Sequence, residues 1–335
     1  MKTFYKGNIH THTTKSDGDE DPIKVTEWYK AHGYDFLVLT DHNHRTILDY
    51  GNQTETPETP LMIPGEEVTI SIQNNDVAIP IHINGIGIQR LIEPIEGDDV
   101  VSTIQANIDS IKAAGGIASI NHPNYKWAYT IGELIQVNGA TAIEVFNGIH
   151  DTNVYGSKTR PSSEQIWDGI LSSGKLIYGV AADDSHHYHD FTPKMANPGR
   201  GWICVQAESF SQSSIMESIR NGDFYASTGV YLDELNRSDT SFNITIGTGE
   251  DDPLKSTEYV TTITGNGGRI LTETDALNIN YELPANESYI RATITSSGGF
   301  KVVIEPDLIA LIAVLLISLS EYPNTQVPTP IMLKS

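Results

Sequence analysis

Four stretches of the chain repeat their apolar residues at helical spacing and carry matching end signals. Asp21-Pro22 opens the first, an N-cap acid with proline at the first helical position, and Gly33 closes it. In the second, Val101, Ile104, Ile108 and Ile111 share one face after Asp98-Asp99, and Gly115-Gly116 ends it. Ser162 and Gln165 stand at capping-box spacing before Ile166, Ile170 and Leu171 in the third, which stops at Gly174. The fourth runs from about Ser211 through Ile215 and Ile219 to Gly222. Short unbroken apolar runs at 36–39, 117–120, 142–146 and 176–180 read as buried strands. Helix and strand alternate, which predicts an α/β fold with a mainly parallel sheet.

The pattern changes after about residue 235. Threonine, glycine and asparagine rise, and short β-like runs follow at 242–246, 259–264, 277–282 and 289–295. Residues 1–234 are therefore expected to form the α/β unit and residues 235–300 a small antiparallel β-sandwich. Residues 301–335 form an atypical tail containing the uncharged run LIALIAVLLISL at 308–319 and several prolines. That run is well short of the roughly 20 residues a spanning helix needs. Its flanks are Glu305, Asp307 and Glu321 rather than basic residues, so a buried helix or strand is expected, not a membrane anchor.

Composition narrows the function. The chain has 335 residues, 39% of them hydrophobic, which is enough for a sizeable core. Its formal charge of −22 is a poor surface for a phosphate backbone, so stable nucleic-acid binding is not expected. One cysteine, Cys204, excludes an intrachain disulfide, and Met1 to Gly7 show no secretory pattern. A cytoplasmic location is the expectation, and the oligomeric state is not legible. Gly85-Ile86-Gly87 lacks the third glycine of a nucleotide-binding loop.

The candidate chemistry sits at strand ends. His10 and His12 are two apart in an extended segment and share a face, with Asp17 in the following loop. Asp41-His42 follows the run 36–39, Glu66-Glu67 follows 61–65, His82 lies within 79–86, His122-Pro123 follows 117–120, and Asp183-Asp184-Ser185-His186 follows 176–182. Each motif alone has an ordinary reading: a solvated His-x-His strand, a helix cap, a polar turn, a packed loop histidine. Their joint recurrence at strand C-termini, where α/β folds build active sites, is much less ordinary. Carboxylates and imidazoles gathered together need neutralising, and mixed nitrogen and oxygen ligation suits zinc, manganese or iron.

These motifs resemble those of the PHP (polymerase and histidinol phosphatase) superfamily. The resemblance is carried by His10-Thr11-His12-Thr13, Ser16-Asp17-Gly18, Leu39-Thr40-Asp41-His42-Asn43, Pro64-Gly65-Glu66-Glu67, Asn121-His122-Pro123 and Asp184-Ser185-His186. Within it, residues 81–87, 144–148 and 221–229 are most similar to the carbaryl-hydrolase-like (CehA/McbA) branch. The resemblance implies a distorted (β/α)7 TIM-like barrel holding two or three divalent ions. By the same resemblance His10, His12, Glu67 and Asp184 would hold the first metal, and Asp17, His42 and His186 the second. His82 and His122 would hold the third, with Glu67 bridging. Motif register selects Glu67 over Glu66 and Asp184 over Asp183.

Asp184 and His186 would then be catalytic, with Asn147, Arg160 and His187 as substrate contacts and Asp41 orienting His42 or another ligand. His32, His44, His150 and His189 read as surface or loop residues. The implied activity is phosphoester hydrolysis of a small phosphorylated substrate by a metal-bridging hydroxide. Carbamate, ester or amide hydrolysis by the same cluster is the alternative, and a non-catalytic metal-binding module a third reading. The tail departs from the family pattern after residue 295.

Overall fold

The computed structural model describes residues 2–48, 60–74, 77–238, 241–247, 257–282, 284 and 286–308. Its elements run β1 (Thr3–Asn8), α1 (Pro22–Ala31), β2 (Phe36–Leu39), β3 (Leu61–Asn74), β4 (Val77–Ile86), α2 (Val100–Ala113), β5 (Ile117–Ile120), α3 (Ile131–Leu134) and β6 (Ala142–Asn147). There follow α4 (Ser163–Ser172), β7 (Tyr178–Ala182), β8 (Trp202–Ala207), α5 (Gln212–Asn221) and β9 (Phe224–Ser227). The chain then stays extended through β10 (Leu232–Ser238), β11 (Ser241–Ile246), β12 (Tyr259–Gly265), β13 (Arg269–Thr274), β14 (Asn278–Glu282), β15 (Tyr289–Ser296) and β16 (Lys301–Leu308).

The helices start where their caps dictate. Asp21 accepts from the Ile23 amide, and Asp99 with Ser102 and Ser162 with Gln165 form reciprocal boxes. Helix α5 is capped by Ser211 and ends on Gly222 in the left-handed region (φ 71°). Ile104, Ile108 and Ile111 of α2 are fully buried against β4 and β5, worth about 2 kcal/mol each. Trp167 of α4 is buried and donates its indole N–H to Ile177 O at 2.8 Å.

Thirteen strands form one sheet in the order β13-β12-β15-β16-β9-β8-β1-β2-β3-β4-β5-β6-β7. The pairs β1–β2, β2–β3, β5–β6 and β6–β7 are parallel, and the others are antiparallel. The sheet is thus mixed α/β, not mainly parallel as the alternation implied. The reason is local: residues 75–76 are too short a link for a crossover, so β3 and β4 must pair as a hairpin. A closed (β/α)7 barrel is not formed by these ladders. Among the described residues β7 packs on β8, β9 and β16 without a ladder, and Gly179 N donates instead to the Glu305 side chain at 2.8 Å. The strand expected at 176–180 forms two residues later, because Leu176 lies exposed at the sheet's lower rim and the small Ala181-Ala182 carry the strand onward.

The C-terminal strands form two layers, one shared with the main sheet. The smaller sheet has the order β10-β11-β14, while β12, β13, β15 and β16 extend the main sheet through the β16–β9 pairing. One apolar cluster unites Phe242, Ile244, Ile263 and Ile304 with Tyr29 and Leu37. β10 spans residue 235, and residues 301–308, grouped with the tail from sequence, form a strand between β15 and β9. Val302 and Ile304 are fully buried, which fixes that strand in place. The rest of the apolar run, 309–319, lies outside the described residues. No helix among the described residues is long and apolar enough to cross a membrane.

Candidate metal centre

Six segments deliver polar side chains to one end of the sheet. β1 leads directly into His10 and His12, β2 into Asp41-His42, β5 into His122, and β7 into Asp184 and His186. Glu67 sits inside β3 and His82 inside β4, opposite Thr69. Two isolated bridges tie the loops together, Thr11 to Ser185 and His42 to Glu67. Beneath them the Thr11, Ser185, Tyr188 and Tyr29 hydroxyls form a buried network ending on Asp183.

All nine expected ligands converge. Their donor atoms fall into four overlapping groups, each within 4.8 Å: His12-Asp17-His42-His186, His10-His12-Glu67, His10-His122-Asp184 and His42-Glu67-His82. Asp184 Oδ1 lies 3.2 Å from both His10 Nε2 and His12 Nε2. Glu67 Oε1 lies 3.5 Å from His10 Nε2 and 2.9 Å from His82 Nδ1. His186 Nε2 lies 3.2 Å from Asp17 Oδ1. His122 Nε2 stands between two carboxylates, 3.5 Å from Glu67 Oε1 and 3.8 Å from Asp184 Oδ2, while Glu144 takes its amide at 2.9 Å. His82 falls with His42, because the β3–β4 register places it across from Thr69, whose hydroxyl holds His42.

The local backbone aims these groups. Asp184 adopts φ 51°, a left-handed conformation that costs a non-glycine residue about 1–3 kcal/mol. Its amide donates to His10 O at 3.0 Å, which holds that turn. Asp183 points the other way, accepting the Gly199, Arg200 and Gly201 amides and the Tyr29 hydroxyl. Glu66 likewise turns away to the Ile92 amide. The structure therefore brings Glu67 and Asp184, not Glu66 and Asp183, into the cluster.

The donor set fits metal ions. His42 Nδ1 bonds Thr69 Oγ1 at 2.7 Å and His10 Nδ1 bonds Glu144 Oε1 at 2.5 Å, which leaves both Nε2 atoms turned into the cluster. The Nε2 atoms of His10 and His12 stand only 3.2 Å apart. Glu67 Oε2 is buried without a hydrogen bond of good geometry, although His42 Nδ1 lies 2.8 Å away, because that nitrogen is directed to Thr69. A buried acceptor and converging nitrogen lone pairs are what a cation satisfies.

Protonation follows the same logic. Burial opposes charge on His10, but Asp184, Glu144 and Glu67 outweigh it and hold the imidazole well above its ordinary range. Burial and the facing His186 push His12 down to about 4. Burial resists ionisation of Glu67, but His82, His10 and His42 hold its carboxyl well below the usual range. Asp184 is likewise held low against burial, chiefly by His10 and His12. Protons and metal ions compete for the same lone pairs here.

The remaining expectations divide. His187 lines a cavity of about 310 Å³ over the cluster, with Tyr125, Ile149, His150 and Lys194. Asn147 does not face it. Its amide nitrogen donates to Glu144 (2.8 Å) and Asp184 (3.0 Å), and its oxygen accepts the Ile149 amide. Arg160 is exposed, its guanidinium 5.9 Å over the Trp127 ring and outside that cavity's lining. Asp41 reaches His12 and not His42: Ser16 Oγ donates to Asp41 at 2.8 Å and lies 3.3 Å from His12 Nδ1. Asp41 holds the loop after His12 through the Thr13 amide and the Thr13, Ser16 and Thr46 hydroxyls. His32, His44 and His189 are exposed, and His150, also exposed, lines the cavity mouth.

Glu144, Asn121, Tyr125 and Lys194 were not among the expected site residues. Asn121 donates to Glu67 Oε1 at 2.7 Å. For Glu144 a signal existed: a carboxylate inside the apolar run 142–146 has to find a buried partner.

No family model matches the chain, and no curated protein matches it. Among solved structures, a two-domain protein from Bacteroides vulgatus containing a predicted PHP-like metal-dependent phosphoesterase is 17% identical at a TM-score of 0.48, covering 91% of this chain and 95% of that one. An amidohydrolase from Chromobacterium violaceum, solved with bound sulfate and no metal, is 16% identical at a TM-score of 0.34, over 57% of this chain and 93% of that one. What these neighbours bind or cleave is not transferred to this chain.

Proposed function

We propose that the chain is a metal-dependent hydrolase of the PHP kind, its open sheet a distorted form of that barrel, acting most readily on a small phosphoester. One observation carries the reading: nine side chains from six segments place their donor atoms in four overlapping groups around one buried carboxylate, Glu67. His10, His12, Glu67, His122 and Asp184 would hold metal at the inner end, and Asp17, His42 and His186 at the outer end, with His82 beside Glu67. Divalent ions in such a site supply Lewis acidity and a nucleophile at neutral pH.

The chain's own residues do the rest. Glu144 and Thr69 hold the Nδ1 sides of His10 and His42, and Asn147 steadies Asp184. Lys194 at the cavity mouth offers a positive charge to phosphoryl oxygens, and His150 and His187 stand where a leaving group needs a proton. Asp184 and His186 line this cavity together with other members of the cluster, and we assign them the catalytic duty.

Carbamate or ester hydrolysis in the manner of the carbaryl-hydrolase-like branch is the second reading. It is favoured by Tyr125 and Ile149 on the cavity wall and by the formal charge of −22, which resists a strongly anionic substrate. The test is a panel of phosphomonoesters, phosphodiesters and aryl carbamates with manganese and with zinc, on wild type and His10→Ala. Turnover of a phosphoester by the wild type alone is expected. A metal-loaded wild type that is inert on every phosphoester defeats the first reading.

A further inference from the structure

The two ends of the cluster are built differently, and the difference converges on Glu144. This side chain is 1% exposed and bonds to two other segments and to Asn147 of its own strand. Its Oε1 meets His10 Nδ1 at 2.5 Å, and its Oε2 meets the His122 amide at 2.9 Å and Asn147 Nδ2 at 2.8 Å. Asn147 passes the contact on to Asp184 Oδ2 at 3.0 Å. One carboxylate therefore fixes all three members of the His10-His122-Asp184 group. The outer group has weaker supports: His42 leans on the Thr69 hydroxyl, His186 on the Asp184 carbonyl, and Asp17 is 56% exposed.

We propose that Glu144 is the positioning residue that makes the His10-His122-Asp184 corner the tightly held end of the metal cluster. The inference rests on the metal-dependent reading above. Its chemistry is that of an acceptor-only group. The His122 amide and the Asn147 amide nitrogen can only donate to Oε2, and a His10 ring that ligates through Nε2 can only donate from Nδ1. A carboxylate satisfies all three, fixes the Nδ1–H tautomer of His10 and raises the basicity of its Nε2. Glutamine, of the same shape, cannot. Its NH2 either faces His10 and drives the ring to the wrong tautomer, or faces two donors and repels them.

The experiment compares zinc-loaded wild type, Glu144→Gln and Glu144→Asp during dialysis against a chelator, with metal per chain read by elemental analysis. Wild type is expected to release its outer zinc first and to keep a slow inner ion. Glu144→Gln should lose the slow ion with affinity lowered about 10–100-fold, the usual effect of removing such a support. Glu144→Asp, which keeps two acceptor oxygens, should recover part of it.

A wild type that binds no zinc defeats the metal reading and this inference together. A wild type that binds zinc, beside a Glu144→Gln variant that releases its last ion at the wild-type rate, overturns this inference alone. One readout needs no variant and survives a failure of Glu144→Gln to fold. In the zinc-loaded wild type the His10 imidazole proton should appear by NMR on Nδ1, protected from exchange. A proton on Nε2 overturns the inference.

Discussion

Two buried charged clusters lie in this molecule, and they are finished to different degrees. In the first, α4 meets β15 and β16. Asp168 accepts the Tyr289 hydroxyl and Arg291 Nε on one oxygen, and Arg291 Nη2 on the other, at 2.8–2.9 Å. Arg291 Nη1 donates to Thr293 at 2.8 Å, and Lys301 pairs with Glu164 at 2.9 Å. Two acids face two bases, and each named charge has its partner. In the second, around Glu67, the described ion pairs join carboxylates only to imidazoles, and Glu67 Oε2, though close to His12 and His42, has no hydrogen bond of good geometry. A cluster that satisfies itself stitches the fold, whereas one left with surplus donor atoms is built for something else.

The largest expected effect breaks the unfinished cluster. Glu67→Ala or exhaustive chelation should lower turnover by at least about a hundredfold while the apo melting temperature changes little, as measured by steady-state kinetics beside calorimetry. The opposite signature belongs to the finished cluster. Arg291→Ala leaves Asp168 buried and unpaired, and should cost about 3–5 kcal/mol in denaturant unfolding with metal stoichiometry unchanged. Metal loss in that variant contradicts the division.

A smaller effect is expected at Glu305, a third kind of buried charge. It takes the Gly179 amide on one oxygen and nothing on the other, and burial pushes its carboxyl well above the usual range. The folded state then holds a proton that the unfolded chain releases above its ordinary carboxylate pKa. The stability linked to this group is complete at low pH and falls as pH rises from there toward the raised folded value. Glu305→Gln should therefore raise the melting temperature at pH 8 and leave it nearly unchanged at pH 4. Least of all, Arg160→Ala should alter turnover less than about twofold, since its side chain is exposed beyond the site cavity.

Much of this was legible before folding. The caps at Asp21, Asp99, Ser162 and Ser211 marked four helices, because capping is settled within one turn of chain. The apolar runs marked β2, β5 and β6, because a strand buried on both faces is mainly apolar, with Ser119 and Glu144 the exceptions in β5 and early β6. β13, with burial split between exposed and half-buried positions, left no such trace. The three hydrogen bonds of Asn147, to Glu144, Asp184 and the Ile149 amide, were not legible, because two of those partners meet it only through the fold.

The sequence alone determined which side chains are candidate ligands and placed most of them at strand ends, since both follow from local spacing, whereas Glu67 and His82 lie inside β3 and β4. It also determined that Glu67 and Asp184, rather than their neighbours, stand in motif register. Only the tertiary structure decided that the sheet is mixed and unclosed, that residues 301–308 belong to it, and how the nine donors divide. Those outcomes depend on contacts between distant segments. His10 and Glu144 meet across 134 residues of chain, and nothing in the spacing near either one announces the other.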